Sequence, residues 1–201
     1  TGFTELGEQF PTLGPDVLEA AVKTAHEAGL KIAAHSVGYE GTHQAVEAGI
    51  DSIEHGTFID DATAQLMARK GTYLVPTMST WDARLRQGHM DGESREALAA
   101  TEGRAEESRA SFRRAVQAGV KVVPGSDAGG SAARHGMLHR ELELMVENGL
   151  TPPQALESAT SVAATLLGIQ DEVGTLEVGK VADMVLIDGD PYSDPAALGN
   201  V

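Results

Sequence analysis

The chain has 201 residues, of which 41% are hydrophobic and 22% charged, a balance typical of one globular domain with an apolar core. Its 30 acidic and 15 basic residues give a net charge of −15, which disfavours binding to nucleic acid or to an anionic membrane. There is no cysteine, so disulfides and thiolate metal sites are excluded, and any metal ion must be held by histidine and carboxylate side chains.

The start of the chain does not resemble a targeting segment. Residues 1–10 have neither the basic beginning nor the apolar stretch of a signal peptide, and no apolar run in the sequence is long enough to cross a bilayer. We therefore expect no membrane partner and favour a cytoplasmic location. Because Thr1 is not a natural initiator, we also expect the chain to be part of a longer protein.

One pattern recurs four times: a helical stretch, a glycine and a short β-branched run. The copies are AHEAGLKIAAHS, AVEAGIDSIEHG, LMARKGTYLVPT and AVQAGVKVVPGSD. In each copy the glycine is predicted to end the helix in a left-handed conformation, at Gly29, Gly49, Gly71 and Gly119. The strands predicted to follow are residues 31–35, 51–55, 72–77 and 121–127.

Regular alternation of helix and strand indicates a parallel sheet. The runs IAAH, YLV and VKVV are apolar on both faces, as expected of strands covered on each side by helices or by the interior of a barrel. Periodicity does not exclude an open doubly wound sheet. However, no Gly-rich phosphate loop follows any strand, which weakens the dinucleotide-binding version of that alternative.

The rest of the chain is predicted to be mostly helical. Residues 79–118 carry no strand signal and are predicted to form a long loop that runs into a polar helix at about 93–117. Further helices are predicted near 138–147 and from Thr151 to about Leu167. The tail VGTLEVGKVADMVLIDGDP contains two short β runs joined by a Gly-Lys turn. We therefore divide the chain into a barrel portion at 1–168 and a partial small β domain at 169–201.

Metal-capable side chains end three of the four predicted strands: His35, His55 and Asp127. In parallel barrels the carboxyl ends of the strands form the active-site mouth, so these residues are expected to converge. A single histidine at a strand end is more often structural, but three such endings favour a metal site. Two imidazoles and a carboxylate can hold a divalent ion and leave a coordination position open. Glu54 is expected to point away from this mouth.

Weaker candidates lie beside these positions. Tyr39 follows His35, and His135 lies in the loop after Asp127, so both are candidates for substrate contact, although solvated side chains are the simpler interpretation. Thr77, at the end of the third strand, is a candidate only for pocket lining.

The motifs AAHS, SIEHG and GSDA, followed by ELELMVENGLTPPQALESAT and the tail given above, resemble the amidohydrolase superfamily. Imidazolonepropionase-like and Xaa-Pro dipeptidase-like members are the most similar. The resemblance implies an α/β fold, the C-terminal half of a TIM-like (β/α)8 metal-dependent hydrolase barrel plus part of a small β domain. It also implies two divalent metal ions in the intact enzyme, with zinc favoured. His35 and His55 would bind the more exposed ion, and Asp127 would bind the more buried ion and act as general base.

The implied function is hydrolysis of amide, cyclic amide or peptide C–N bonds through metal-activated water. The His-x-His pair and bridging lysine of the family's earlier strands have no counterpart here. We therefore expect a fragment that is inactive alone and pairs with a missing N-terminal half or with a second copy. The alternatives are a non-catalytic barrel scaffold or small-molecule binding module and, more weakly, an open-sheet phosphate or nucleotide binder.

Overall fold

Helices and parallel strands alternate along the chain, as the repeat predicts. A computed structural model of the protein describes residues 9–129 and 132–201. The elements are α1 (Pro15–Glu27), β1 (Ala33–Ser36), α2 (Tyr39–Ala48), β2 (Ser52–His55), α3 (Asp61–Lys70), β3 (Tyr73–Val75), α4 (Met78–Asp91), α5 (Arg95–Ala118), α6 (Leu138–Glu147), α7 (Pro152–Glu157) and α8 (Ala163–Leu167). A π-helical turn (Ser158–Val162) joins α7 to α8, and a 3₁₀ turn (Pro195–Gly199) lies near the end.

The three strands form one parallel sheet in the order β1-β2-β3. Ser36 lies opposite His55, and Glu54 lies between His35 and Val75 in the register. The glycines that end the helices are left-handed as predicted, for example Gly49 with φ 95° and Gly119 with φ 82°. The four helices of the repeat, α1, α2, α3 and α5, therefore turn directly into the strand or extended segment that follows them.

The fourth predicted strand is reduced to a single parallel bridge between Leu74 and Val122. Leu74 donates its N–H to the carbonyl oxygen of Lys121 (3.0 Å) and accepts from the N–H of Val123 (2.9 Å). The next donor on the β3 side would be residue 76, a proline without an N–H, so the ladder cannot continue. Residues 121–127 still lie beside β3, as expected for the next position in the sheet.

The apolar core lies between the sheet and the helices. Ile53 of β2 and Leu74 of β3 are fully buried at the centre of the sheet, and Met67, Phe112 and Leu144 cover them from α3, α5 and α6. In the described residues, no helix is long and apolar enough to span a membrane.

Two regions differ from the expectation. Residues 78–91, predicted as loop, form α4. The first N–H groups of this helix bond to the carboxylate of Glu141, which lies 62 to 63 residues further along the chain. A cap residue next to the helix therefore does not mark its start in the sequence. All residues of 169–201 are described, and none lies in a strand. The predicted β runs approach each other through the N–H of Val181 and the carbonyl oxygen of Glu172 (2.8 Å). The domain division at 168/169 stays a prediction.

Candidate metal centre

The structure brings two of the three predicted ligands into direct contact. His35 lies at the end of β1 and His55 at the end of the neighbouring β2. Their rings meet edge to face, with centroids 4.7 Å apart and planes inclined at 74°. The predicted convergence of imidazoles at the carboxyl edge of the sheet is therefore present for this pair.

One nitrogen of each ring is held by a neighbouring side chain. Nδ1 of His55 lies 2.7 Å from Oγ1 of Thr77, and Nε2 of His35 lies 3.1 Å from Oε1 of Gln9. When these nitrogens carry the ring protons and donate, Nε2 of His55 and Nδ1 of His35 keep free lone pairs. This is how histidine ligands are usually oriented around a metal ion, so the pair fits a divalent cation.

The electrostatic surroundings of His55 favour the neutral ring. Burial lowers the pKa of His55 and the neighbouring charge of His35 lowers it further, while the carboxylate of Asp127 acts in the opposite direction. A neutral imidazole is the form that binds metal ions.

Asp127 lies at the end of the segment that pairs with β3, and its side chain is exposed. Its negative charge acts to raise the pKa of His55, against the larger lowering effects of burial and of His35. Within residues 9–129 and 132–201, however, no three His, Asp or Glu side chains are grouped so as to hold a metal ion together. The role of Asp127 as ligand and base remains a prediction.

Backbone strain is concentrated at the same edge. Across the described parts of the chain, four residues other than glycine have left-handed φ: His55 (70°), Phe58 (68°), Thr77 (49°) and Asp127 (46°). Such angles are uncommon for these residue types, and for a β-branched threonine they are a clear outlier. Strain of this kind accumulates where function fixes the backbone. This strain is found at two of the three predicted ligands, His55 and Asp127, and at Thr77, the hydrogen-bond partner of His55.

Glu54 pairs with His35 in the register of β1 and β2. Its half-buried carboxylate accepts a hydrogen bond from Oγ of Ser52 (2.8 Å), which lies two residues earlier on the same face of β2. Burial raises the pKa of Glu54, and the bond from Ser52 opposes that effect.

The two weaker candidates are both exposed. The Tyr39 ring stacks beside that of His43 with centroids 6.1 Å apart, and His135 lies in the loop before α6. Their roles in substrate binding stay predictions.

Two cavities flank the strand ends. One, of about 430 Å³, lies against β1 and is lined by Gln9 and His35 together with apolar side chains of α1 and α2. The other, of about 270 Å³, lies between α4 and residues that follow Val123, and it is lined by Ser79, Ser126 and Arg134 among others. Either offers space for a small ligand next to the histidine pair or the Asp127 segment.

Two residues matter more than the sequence suggests. Thr77, considered only as pocket lining, is the hydrogen-bond partner of His55. Glu141 was not singled out at all, although its carboxylate is fully buried and accepts the N–H groups of Met78 (2.9 Å) and Ser79 (2.7 Å). Its position three and four residues before Leu144 and Met145 places a carboxylate in the apolar stripe of α6, and that is the signal that could have identified it.

Parallel strands alternating with helices, with two histidines meeting at the carboxyl edge, define an α/β protein with a candidate site at that edge of its sheet. A model of the amidohydrolase family matches residues 3–200, and the chain belongs to that family.

Several characterised proteins are similar over most of this chain. Ochratoxinase of Aspergillus niger is 30% identical over 187 residues, which cover 92% of this chain and 38% of that protein. Imidazolonepropionase of Symbiobacterium thermophilum is 32% identical over 187 residues, covering 92% and 39% respectively. The crystal structure of a Xaa-Pro dipeptidase with bound methionine superposes with a TM-score of 0.85 at 34% identity, covering 99% of this chain and 49% of that one.

The predicted resemblance and the predicted α/β barrel portion are thereby confirmed. The chain spans about half the length of these relatives or less.

Proposed function

We propose that this chain supplies one side of the active site of a metal-dependent hydrolase that cleaves amide, cyclic amide or peptide C–N bonds. The observation that carries the proposal is the contact between His35 and His55 at adjacent strand ends. Each ring is held by one hydrogen bond, and its other nitrogen has no hydrogen-bond partner among residues 9–129 and 132–201. Membership of the amidohydrolase family supports the reaction class.

His35 and His55 are the residues that hold the cation, and zinc is the favoured ion. When bound, a divalent cation supplies activation of water at neutral pH and polarisation of the scissile carbonyl group. Thr77 fixes the His55 ring through Nδ1, and Gln9 fixes the His35 ring through Nε2, so that both rings present one chosen nitrogen.

Asp127 acts as the general base in this proposal. Its carboxylate accepts a proton from the attacking water and returns it to the leaving nitrogen, which an exposed carboxylate at the mouth can reach without a change of fold. Tyr39 and His135 are the candidates for contact with the substrate.

The substrate class is narrowed by the relatives rather than by the site. A Xaa-Pro dipeptidase, an ochratoxinase and an imidazolonepropionase are among the proteins that this chain matches, and they favour small amides, dipeptides and cyclic amides. We further propose that the remaining ligands come from chain outside these 201 residues or from a second copy.

Metal content of the intact protein tests the proposal. We expect bound divalent metal by mass spectrometry, loss of at least one equivalent in His35→Ala and His55→Ala, and at least a 100-fold loss of hydrolysis across a panel of dipeptides and N-acyl amino acids. His89→Ala, an exposed histidine of α4, is the matched control and should change neither quantity. Metal content that is absent, or that survives both substitutions, would favour the non-catalytic scaffold or binding module.

A further inference from the structure

Glu141 is a fully buried carboxylate on a helix that carries none of the predicted ligands. Its neighbours on the buried face of α6 are Leu144 and Met145, which are also completely buried. Removing a carboxylate from water is costly, and an apolar side chain of the same volume would fill this place without that cost. The presence of a carboxylate at this buried position is therefore best explained by the groups to which it is hydrogen-bonded.

Those groups are the first two N–H groups of α4. Oε1 of Glu141 accepts from the N–H of Met78 (2.9 Å) and Oε2 accepts from the N–H of Ser79 (2.7 Å). When it is ionised, the carboxylate also interacts favourably with the positive end of the helix dipole. Glu141 thus caps a helix from a distant part of the chain.

Helix α4 needs this external cap because its own cap residue is used elsewhere. Thr77 occupies the position from which a threonine side chain normally accepts an N–H of the first turn. Its Oγ1 instead lies 2.7 Å from Nδ1 of His55, and Thr77 forms no capping bond. Its backbone is also strained, with φ 49° and ψ 37°. Glu141 satisfies the donors that Thr77 leaves open.

We propose that Glu141 is a positioning residue for the metal centre: by holding the start of α4, it fixes Thr77 in the conformation that orients the His55 ring. Glu141 acts through Thr77 and does not touch the substrate. The inference rests on the proposed function, because it assigns a role within the same site.

The ring of His55 gives a readout that does not depend on activity. We propose to label the intact protein with ¹⁵N-histidine, record two-bond ¹H–¹⁵N correlations of the rings and assign His55 by its absence in His55→Ala. Thr77→Val removes the hydroxyl group and keeps the shape of the side chain. Glu141→Gln keeps the shape of the carboxylate but points an NH₂ donor at a backbone N–H.

We expect both single variants to shift the His55 ring signals in the same direction. The double variant should show no further change, because the two residues act in series. Metal affinity should fall about 10-fold or more in each. Asp82→Asn is the control, since Asp82 joins α4 to Arg140 of α6 without touching the turn at Thr77, and it should leave the His55 signals in place.

Wild-type His55 signals in a folded Glu141→Gln protein would overturn the inference, as would a shift of equal size in Asp82→Asn. If Glu141→Gln does not fold, Glu141→Met fills the same volume without the carboxylate and must give the same shift. The same measurements distinguish failure of the proposed function from failure of this inference. A wild-type protein that binds no metal but shows the linked shifts refutes the metal-dependent hydrolase, while the effect of Glu141 on the His55 ring remains. A metal-bound protein without the shifts refutes the positioning role alone.

Discussion

The buried carboxyl group of Glu141 should make the start of α4 less stable as the pH rises from 5 to 8. Burial raises the pKa of Glu141 from its ordinary value of 4.5 to about 7, against the opposing effect of the N–H groups of Ser79 and Met78. The folded protein therefore keeps a proton that the opened segment releases. The resulting stabilisation is complete below pH 4.5 and is lost as the pH rises through about 7.

The size of the effect follows from the same two values. The interval from 4.5 to about 7 corresponds to ~3 kcal/mol at about 1.4 kcal/mol for each pH unit. His55 contributes with the opposite sign, because burial and the charge of His35 lower its pKa below 6.5 and its protonation at low pH destabilises the fold. The difference between wild type and Glu141→Gln cancels this second contribution and isolates Glu141.

Hydrogen exchange of the intact protein, followed by mass spectrometry on peptides that cover residues 76–83, measures the opening free energy of this segment. Between pH 5 and pH 8, after correction for intrinsic exchange rates, the wild-type value should fall by ~2.5 kcal/mol relative to Glu141→Gln, because part of the change lies outside this window. Glu143→Gln, two residues away on α6, keeps the Glu141 carboxyl group and should follow the wild type. Parallel profiles for wild type and Glu141→Gln would show that the buried carboxyl group does not titrate in this range, and the reasoning would be wrong.

Two further predictions concern the sheet and the predicted site. Burial acts to raise the pKa of Asp51, but hydrogen bonds from Lys31, His26 and the N–H of Ile32 outweigh it and hold that pKa below 3.8. Asp51→Asn should therefore lower the free energy of unfolding in urea by about 1–2 kcal/mol at pH 7. The difference from the wild type should shrink as the pH falls below about 4. Asp127 is exposed and has a left-handed backbone with φ 46°, which glycine adopts more easily than alanine. Asp127→Gly should therefore be about 1 kcal/mol more stable than Asp127→Ala in thermal unfolding, while both variants lose hydrolysis. Equal stabilities of the two variants would show that the backbone at this position is not strained.

Local chemistry made most of the fold predictable. Each glycine of the repeat, Gly29, Gly49, Gly71 and Gly119, is followed within four residues by a strand or by the segment that bridges to β3, so the order of these elements could be derived from the repeat. The extent of the fourth strand could not be derived in this way, because it depends on the residues that lie opposite it. Leu74 pairs with Val122, but Pro76, two residues after Leu74, has no N–H to donate. The pairing of two strands depends on the residues of both, whereas each copy of the repeat describes the residues of one strand only.

The tail shows the same limit. Leu176, Val178, Met184 and Leu186 have the composition of two β runs, but all four side chains are largely exposed and no strand forms among residues 169–201. A two-stranded hairpin is marginal in water unless further strands or a helix cover its apolar face. The sequence therefore predicts that these residues tend to form strands. Among the described residues, however, no strand or helix covers their apolar side chains.

The sequence alone picks out the predicted ligands of the candidate site, but not the side chains that contact them. His35, His55 and Asp127 stand out because each ends a repeat, and the repeat is visible in one dimension. Thr77 and Glu141 act over 22 and 62 to 63 residues of sequence respectively, and neither distance is marked by a motif.

The strained residues connect the predicted ligands to this hidden support. A left-handed backbone costs roughly 1–3 kcal/mol for each residue other than glycine, and it persists only where surrounding contacts fix it. At Thr77 the contacts are visible: its hydroxyl group is held by His55, and the helix that follows is held by Glu141. A glycine at this position would relieve the strain but would leave Nδ1 of His55 without its partner. The strain at Thr77 is thus the energetic cost of orienting one imidazole, and this explains why a β-branched residue stands where the backbone alone favours glycine.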